Sequence, residues 1–64
     1  MVQINGAAAD AAGKTLAQYL AQAGCDARRI AVERNGEIVP RAQYSETVLQ
    51  DGDQIDIVTV VGGG

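Results

Sequence analysis

The sequence predicts an α+β domain in which a mixed sheet of about five strands carries one main helix across one face. Two Asn-Gly pairs, Asn5-Gly6 and Asn35-Gly36, each lie between short apolar runs, which is the pattern of a tight β-hairpin. One segment with helical periodicity lies between the two hairpins, and a run of β-branched residues ending in glycines follows them. This element order in 64 residues is typical of a single domain with one small core.

The first hairpin is formed by the residues that open the chain. Val2-Gln3-Ile4 alternates apolar and polar side chains, and Asn5-Gly6 suits the positive φ angles of a two-residue turn. The return strand, near residues 7–10, is mostly alanine, which has weak β propensity. We therefore expect the second strand to lie at an edge of the sheet, where little packing is required of it.

The helix is predicted to begin at Thr15, whose hydroxyl can cap the first turn. Four apolar residues then recur at the i, i+3, i+4, i+7 spacing of one helix face: Leu16, Tyr19, Leu20 and Ala23. Gly24 occupies the position of a left-handed C-cap. Cys25 can supply the apolar contact that accompanies such a cap, which favours a structural thiol over a reactive nucleophile.

The second hairpin follows the helix. Its strands are predicted at residues 30–34 and 37–39, on either side of the Asn35-Gly36 turn. Pro40 has no backbone N–H to give to a sheet and therefore ends the return strand.

The rest of the chain leads into the last strand. Residues 41–48 are polar and irregular, with Tyr44 expected to anchor them, and Leu49 is expected to face the core. Asp51-Gly52-Asp53 predicts a turn, and residues 54–61 predict the final strand. The acidic residues near this strand, Asp51, Asp53 and Asp56, would suit a partner with a basic rim; the alternative is ordinary solubility charge.

The last strand has two faces, because successive side chains point to opposite sides of a sheet. If Ile55 and Ile57 face the helix, then Asp56, Val58 and Val60 lie on the opposite face and form a candidate docking surface. The alternative is that a bulge or the strand end buries one of the valines.

The glycines that follow predict a flexible tail. They divide the chain into a domain of residues 1–61 and a tail of residues 62–64. Extended backbone from Val61 to Gly64 reaches roughly 13 to 14 Å, enough to enter a narrow pocket on a partner, and Gly64 would present an α-carboxylate there. A frayed end or an expression remnant is the alternative reading.

Composition excludes several classes of function. The sequence has no histidine for proton transfer near neutral pH, and its single cysteine cannot form an intramolecular disulfide. A net charge of −3 with five basic residues argues against a nucleic-acid surface. Neither a signal peptide nor an apolar run long enough to span a bilayer is visible. We therefore expect a cytoplasmic protein that is not an enzyme and binds no metal, nucleic acid or membrane.

Several motifs together resemble a known family. They are Ile4-Asn5-Gly6, Thr15-Leu16, the run from Ala31 to Arg41, and Asp51-Gly52-Asp53 before the glycine-terminated strand. In this order and spacing, over essentially the whole chain, they look like the ThiS family, the sulfur carrier proteins of thiazole synthesis in thiamine biosynthesis. The resemblance implies the ubiquitin-like β-grasp fold.

The resemblance also implies a function and partners. In the family, an E1-like adenylating enzyme uses ATP to adenylate the terminal glycine, and a sulfur donor such as a cysteine desulfurase system supplies sulfur. Thiazole synthase then consumes the resulting thiocarboxylate. Carried over, Gly64 is the modified residue and Gly63 its required neighbour. Gly62 is a third glycine where the family commonly has two, and its expected role is that of a tether. The chain itself would bind no cofactor.

Other functions stay open on the residues alone. A related carrier, such as the small subunit of molybdopterin synthase, would share the same chemistry. A protein modifier would form an isopeptide bond through Gly64. A plain interaction module would bind through Val58 and Val60 and make no use of the tail.

Overall fold

The computed structural model describes residues 1–60, and the predictions that concern residues 61–64 lie outside the described residues. One five-stranded sheet carries the helix, in the strand order β2-β1-β5-β3-β4. The strands and the helix are β1 Val2–Ile4, β2 Ala7–Ala9, α1 Leu16–Ala23, β3 Ile30–Arg34, β4 Glu37–Ile38 and β5 Gln54–Thr59. Two 3-10 turns, Ala27–Arg29 and Arg41–Gln43, follow the helix and β4 respectively.

The sheet is mixed, as predicted. β1 pairs antiparallel with β2 and parallel with β5, with Ile4 opposite Ile55. β3 pairs antiparallel with both β4 and β5. The last strand therefore lies at the centre of the sheet, and the alanine strand β2 lies at an edge, where it was expected.

Both Asn-Gly pairs form the predicted hairpin turns. Asn5 and Gly6 have φ angles of 51° and 82°, and Asn35 and Gly36 have φ angles of 53° and 86°. Two consecutive positive φ angles define the turn whose twist matches that of the flanking strands. The turns fix the register of both hairpins.

Both ends of the helix follow the sequence. The Thr15 hydroxyl accepts the Gln18 N–H at 3.1 Å, and the Gln18 side chain accepts the Thr15 N–H at 2.8 Å, which completes a capping box. Gly24 adopts the left-handed conformation with φ of 73°, and the Cys25 N–H donates to the Leu20 carbonyl at 2.9 Å. Cys25 is half-buried and packs against the core, as the cap predicted.

The helix buries a face slightly different from the predicted one. Leu16 and Leu20 are buried, but Ala23 is exposed, and Ala17 packs against the core instead. The prediction for Ala23 is therefore wrong. Ala23 is the last residue of the helix, whereas Ala17 lies in its first turn, where its N–H donates to the Tyr44 carbonyl at 3.0 Å and the segment of residues 41–48 packs alongside.

The core is built from aliphatic side chains and one tyrosine. Its buried apolar members are Val2, Ile4, Ala11, Leu16, Leu20, Val32, Tyr44, Leu49 and Ile55. Tyr44 and Leu49 hold the irregular segment to the core, as expected. Burial raises the pKa of the Tyr44 phenol, while the Arg41 charge acts in the opposite direction.

Candidate functional site

The described part of the candidate site is the strand that leads to the glycine tail. Gly62, Gly63, Gly64 and the predicted boundary at Val61 lie outside the described residues. The last described residue, Val60, is aligned with the sheet, since its N–H donates to the carbonyl of Arg29 at 2.7 Å. The tail is therefore attached directly to the central strand.

The sheet face opposite the helix, here called the outer face, carries the candidate docking residues. Asp56, Val58 and Val60 are all exposed, with Val58 at 55% and Val60 at 47%. Ile55 is buried and Ile57 half-buried on the helix side. The predicted division of faces is confirmed, and neither valine is buried by a bulge; their role in docking stays a prediction.

The outer face is larger than the sequence indicated, because β3 and β4 contribute to it. Glu33 lies opposite both Asp56 and Ile38, and Ala31 lies opposite Val58. Ile38 is 73% exposed. Sequence reasoning missed Glu33 and Ile38, although the hairpin register contained the signal: a two-residue turn at Asn35-Gly36 pairs residue 34 with 37 and therefore residue 33 with 38.

Two asparagine side chains hold β5 in place. Asn5 continues the β1–β5 ladder with its side-chain amide: Oδ1 accepts the Ile57 N–H at 2.7 Å, and Nδ2 donates to the Ile57 carbonyl at 3.2 Å. Asn35 holds the start of the strand, where its Oδ1 accepts the Gln54 N–H at 2.9 Å. Each Asn-Gly turn therefore also fixes the position of the strand that leads to the tail.

Asp53 anchors the turn before β5 and is not part of an exposed rim, so the expectation that it would suit a basic partner is wrong. It is 8% exposed, and its carboxylate accepts hydrogen bonds from Arg34 Nε at 3.0 Å, Asn35 Nδ2 at 3.1 Å and the Gln50 N–H at 3.0 Å. Burial opposes ionisation, but the Gln50, Asn35 and Arg34 hydrogen bonds and the Arg34 charge outweigh it and lower the pKa of Asp53. The Asp53 carboxylate therefore joins the Asn35-Gly36 turn to the turn before β5.

Arginines lie beside the end of β5. Arg28 and Arg29 have side chains that are 81% and 80% exposed, and both lie within ion-pair distance of Asp26, at 3.4 and 3.8 Å. Hydrogen bonds from the Arg28 backbone and side chain lower the pKa of Asp26. Exposed pairs of this kind add little stability.

The described residues were compared with the requirements of a metal site and of a membrane-spanning helix. Across residues 1–60, no three His, Cys, Asp or Glu side chains are grouped as metal ligands. Cys25 lines an open apolar groove with Ala27 and Tyr44. Among the described helices, none has the length and apolar character to cross a membrane.

Comparison with known proteins gives a consistent result. A model of the ThiS family matches residues 2–64. The sulfur carrier protein ThiS of Escherichia coli strain K12 is 41% identical over 54 residues, covering 84% of this chain and 82% of that protein. The sulfur carrier protein ThiS of Thermus thermophilus is 33% identical over 64 residues, covering 100% of both.

Two curated relatives are much longer. A thiazole synthase of Paramagnetospirillum magneticum is 45% identical over 53 residues, covering 83% of this chain, and one of Magnetococcus marinus is 42% identical over 64 residues, covering 98% of it. The chain spans only 16% and 20% of the length of these two relatives.

The fold has a counterpart among solved structures. The crystal structure of the thiamine biosynthesis protein ThiS from Geobacter metallireducens matches with a TM-score of 0.79 at 28% identity, covering 98% of this chain and 97% of that one. The β-grasp architecture expected from the sequence is thereby confirmed.

Proposed function

The chain belongs to the ThiS family, and on that premise we propose that it carries sulfur as a thiocarboxylate on Gly64 for thiazole formation in thiamine biosynthesis. The observation that carries the proposal is the extent of the family match, which runs through residues 2–64 and so includes the glycine tail. In the proposed mechanism Gly64 is the C-terminal residue of the active carrier.

The chemistry at Gly64 requires activation by a partner. A carboxylate anion is resonance-stabilised and resists nucleophilic attack, so one oxygen must first become part of a leaving group. An E1-like adenylating enzyme would supply AMP as that group from ATP. The terminal sulfur of a persulfide from a cysteine desulfurase system would displace AMP to give an acyl disulfide, and a second thiol would cleave that bond to release the thiocarboxylate and a disulfide. The chain contributes the carboxylate and serves as a co-substrate; the cofactor chemistry belongs to the partners.

The tail and the domain have separate tasks in this mechanism. Gly62 and Gly63 would let the backbone thread an active-site pocket without side-chain clashes. Ordering about three residues costs roughly 1 to 2 kcal/mol each, which offsets part of the docking energy and helps the carrier to leave each partner. The ladder at Val60 fixes where the tail leaves the domain.

Thiazole synthase is the proposed acceptor of the sulfur. Support comes from the two thiazole synthases that include a segment similar to this chain within a much longer protein. The outer face, with Asp56, Val58 and Val60, is the proposed docking surface beside the tail. We place the whole cycle in the cytoplasm, in line with the absence of paired cysteines.

Reconstitution with the adenylating enzyme, ATP and a sulfur donor tests the proposal. A variant that lacks Gly63 and Gly64 should keep its fold and form no thiocarboxylate. The matched control lacks one glycine only: it still ends in Gly-Gly, shortens the tether by about 3.3 to 3.6 Å, and reports the role of the third glycine. Full activity of the doubly truncated variant would contradict the proposal. Thiazole formation with thiazole synthase, measured against transfer to molybdopterin synthase, identifies the pathway.

A further inference from the structure

The central strand β5 has a paired edge and an edge that becomes free near the tail. Towards β3, the even-numbered residues make the hydrogen bonds, as shown by the Val60 N–H on the Arg29 carbonyl at 2.7 Å and the Asn35 N–H on the Gln54 carbonyl at 2.8 Å. Because backbone groups alternate along an antiparallel pair, the odd-numbered residues point towards β1. The backbone N–H and carbonyl groups of Ile55, Ile57 and Thr59 thus lie on that side.

Along this edge, backbone groups of Ile55 and Ile57 are hydrogen-bonded, and Thr59 is the next residue in line. The Ile55 carbonyl accepts the Asn5 N–H at 2.8 Å, and Ile57 is bound by the Asn5 side chain. β1 ends at Ile4, so within residues 1–60 no strand pairs with Thr59 on this side. By the same alternation, the N–H and carbonyl of Thr59 point away from β3, at an edge that can pair with another strand.

The sequence of β5 does little to protect this edge. Natural sheets blunt free edges with lysine, proline, a bulge or a very short edge; β5 has no lysine, proline or bulge between Gln54 and Thr59, and its free part is one residue long. Val58 and Val60, the neighbours of Thr59, are both exposed on the outer face. An added strand would therefore find unpaired backbone and apolar side chains at the same place.

Charges of both signs lie near this edge. Arg29, opposite Val60, lies within ion-pair distance of Asp26 at 3.8 Å, so the carboxylates without a cationic partner indicate what kind of strand fits. Glu33 and Asp56 lie directly opposite each other on β3 and β5, and both are exposed. Like charges in that position destabilise a sheet. Among the ion pairs of residues 1–60, neither carboxylate has a cationic partner. A residue added opposite Val58 would be diagonal to Asp56, at about 7 to 8 Å, which a long cationic side chain can reach.

We infer that the free edge of β5 at Thr59 receives an extended, positively charged segment of thiazole synthase. Its backbone hydrogen-bonds the Thr59 N–H and carbonyl, and an arginine or lysine side chain is bound between Asp56 and Glu33. The added strand continues the sheet alongside the start of the tail and so directs Gly64 towards the active site of the synthase. The identity of the partner rests on the proposed function; the edge and its charge do not.

Hydrogen exchange of the full-length, ¹⁵N-labelled chain tests this inference. The thiazole synthase of the same organism is added, amides are exchanged in the complex, and protection is read by NMR after dissociation. We expect the Thr59 amide to exchange rapidly in the free chain and to become protected in the complex. The Val60 and Ile57 amides, already bonded to Arg29 and Asn5, serve as internal references that are protected in both states.

Two sets of variants complete the test. Thr59→Pro removes the N–H on the free edge and fixes φ, which edge positions tolerate. It should weaken the complex about tenfold, while Thr59→Ala stays within about twofold. The Glu33→Gln and Asp56→Asn double variant should weaken it by a similar factor and reduce its dependence on salt. A complex that leaves the Thr59 amide unprotected would overturn the inference.

The outcomes also separate this inference from the proposed function. If Gly64 becomes a thiocarboxylate and the synthase binds without protecting Thr59, the edge is not the docking site although the carrier function stands. Protection of Thr59 in the chain alone, rising with its concentration, would assign the edge to a second copy and overturn the inference. A chain that binds the synthase through Thr59 but never receives sulfur would contradict the proposed function and leave the edge contact in place.

Discussion

Replacing Asp53 by alanine should remove a large part of the stability of this domain. The substitution leaves Arg34, the Asn35 amide and the Gln50 N–H without their common acceptor. Breaking a fully buried ion pair costs about 3 to 5 kcal/mol. The Arg34 side chain is 29% exposed, so water can replace part of the interaction, and we expect about 2 to 4 kcal/mol. Domains of this size rarely exceed about 3 to 5 kcal/mol in total.

The assay is urea denaturation followed by circular dichroism, with Asp51→Ala as the matched control. Asp51 lies two positions away and pairs with the N-terminal ammonium, but its side chain is 79% exposed, so its removal should cost less than about 1 kcal/mol. In thermal denaturation of the same variants, the melting temperature of Asp53→Ala should fall by about 8 to 30 °C, at about 4 to 8 °C for each kcal/mol of unfolding free energy. Equal stability of the two alanine variants would refute the account of the Asp53 network.

The remaining predictions concern β5 and the acidic pair. Asn5→Ala should lower the free energy of unfolding, measured by thermal unfolding, by about 2 to 4 kcal/mol, because two hydrogen bonds to Ile57 are lost and alanine disfavours the positive φ of 51°. Asn5→Gly should cost about 1 kcal/mol less, because glycine accepts that φ angle. Equal losses in the two variants would contradict the conformational part of the argument. Glu33→Gln should stabilise the free chain by about 0.2 to 1 kcal/mol at low salt, because it ends the repulsion with Asp56, and a loss of stability would contradict that repulsion. The Asp53 contribution should be present above about pH 4, the ordinary pKa of an unfolded aspartate, and should be lost as the pH falls through the lowered pKa of the folded state. Acid titration of the wild type against Asp53→Asn measures this, and a difference that persists at the acid end would contradict it.

The local signals of the sequence predicted most of the fold. Turn chemistry at Asn5-Gly6 and Asn35-Gly36 fixed both hairpins, and the Thr15 and Gly24 caps fixed both ends of the helix. Such signals are reliable because they depend on the φ angles and hydrogen bonds of neighbouring residues only. The division of faces along β5 followed in the same way from strand alternation.

Features that depend on distant residues were missed. Ala23 was placed on the apolar face because helix periodicity does not show that the segment around Tyr44 packs beside Ala17 and leaves the end of the helix exposed. Asp53 was read as a surface charge because its partner Arg34 is 19 positions away. Glu33 was not placed beside Asp56, because that pairing depends on the register of β3 against β5. In each case the deciding contact is tertiary.

The central claim is that Gly64 carries sulfur, and mass spectrometry of the C-terminal fragment tests it most directly. The chain is incubated with its adenylating enzyme, ATP and a sulfur donor, then cleaved and fragmented. Replacing one oxygen by sulfur adds about 16 Da, the same nominal gain as oxidation of Met1 or Cys25, so the mass must be located on the last residue. The account predicts that gain on Gly64 alone. An unmodified Gly64, or a lysine conjugate formed through it without sulfur, would contradict the account.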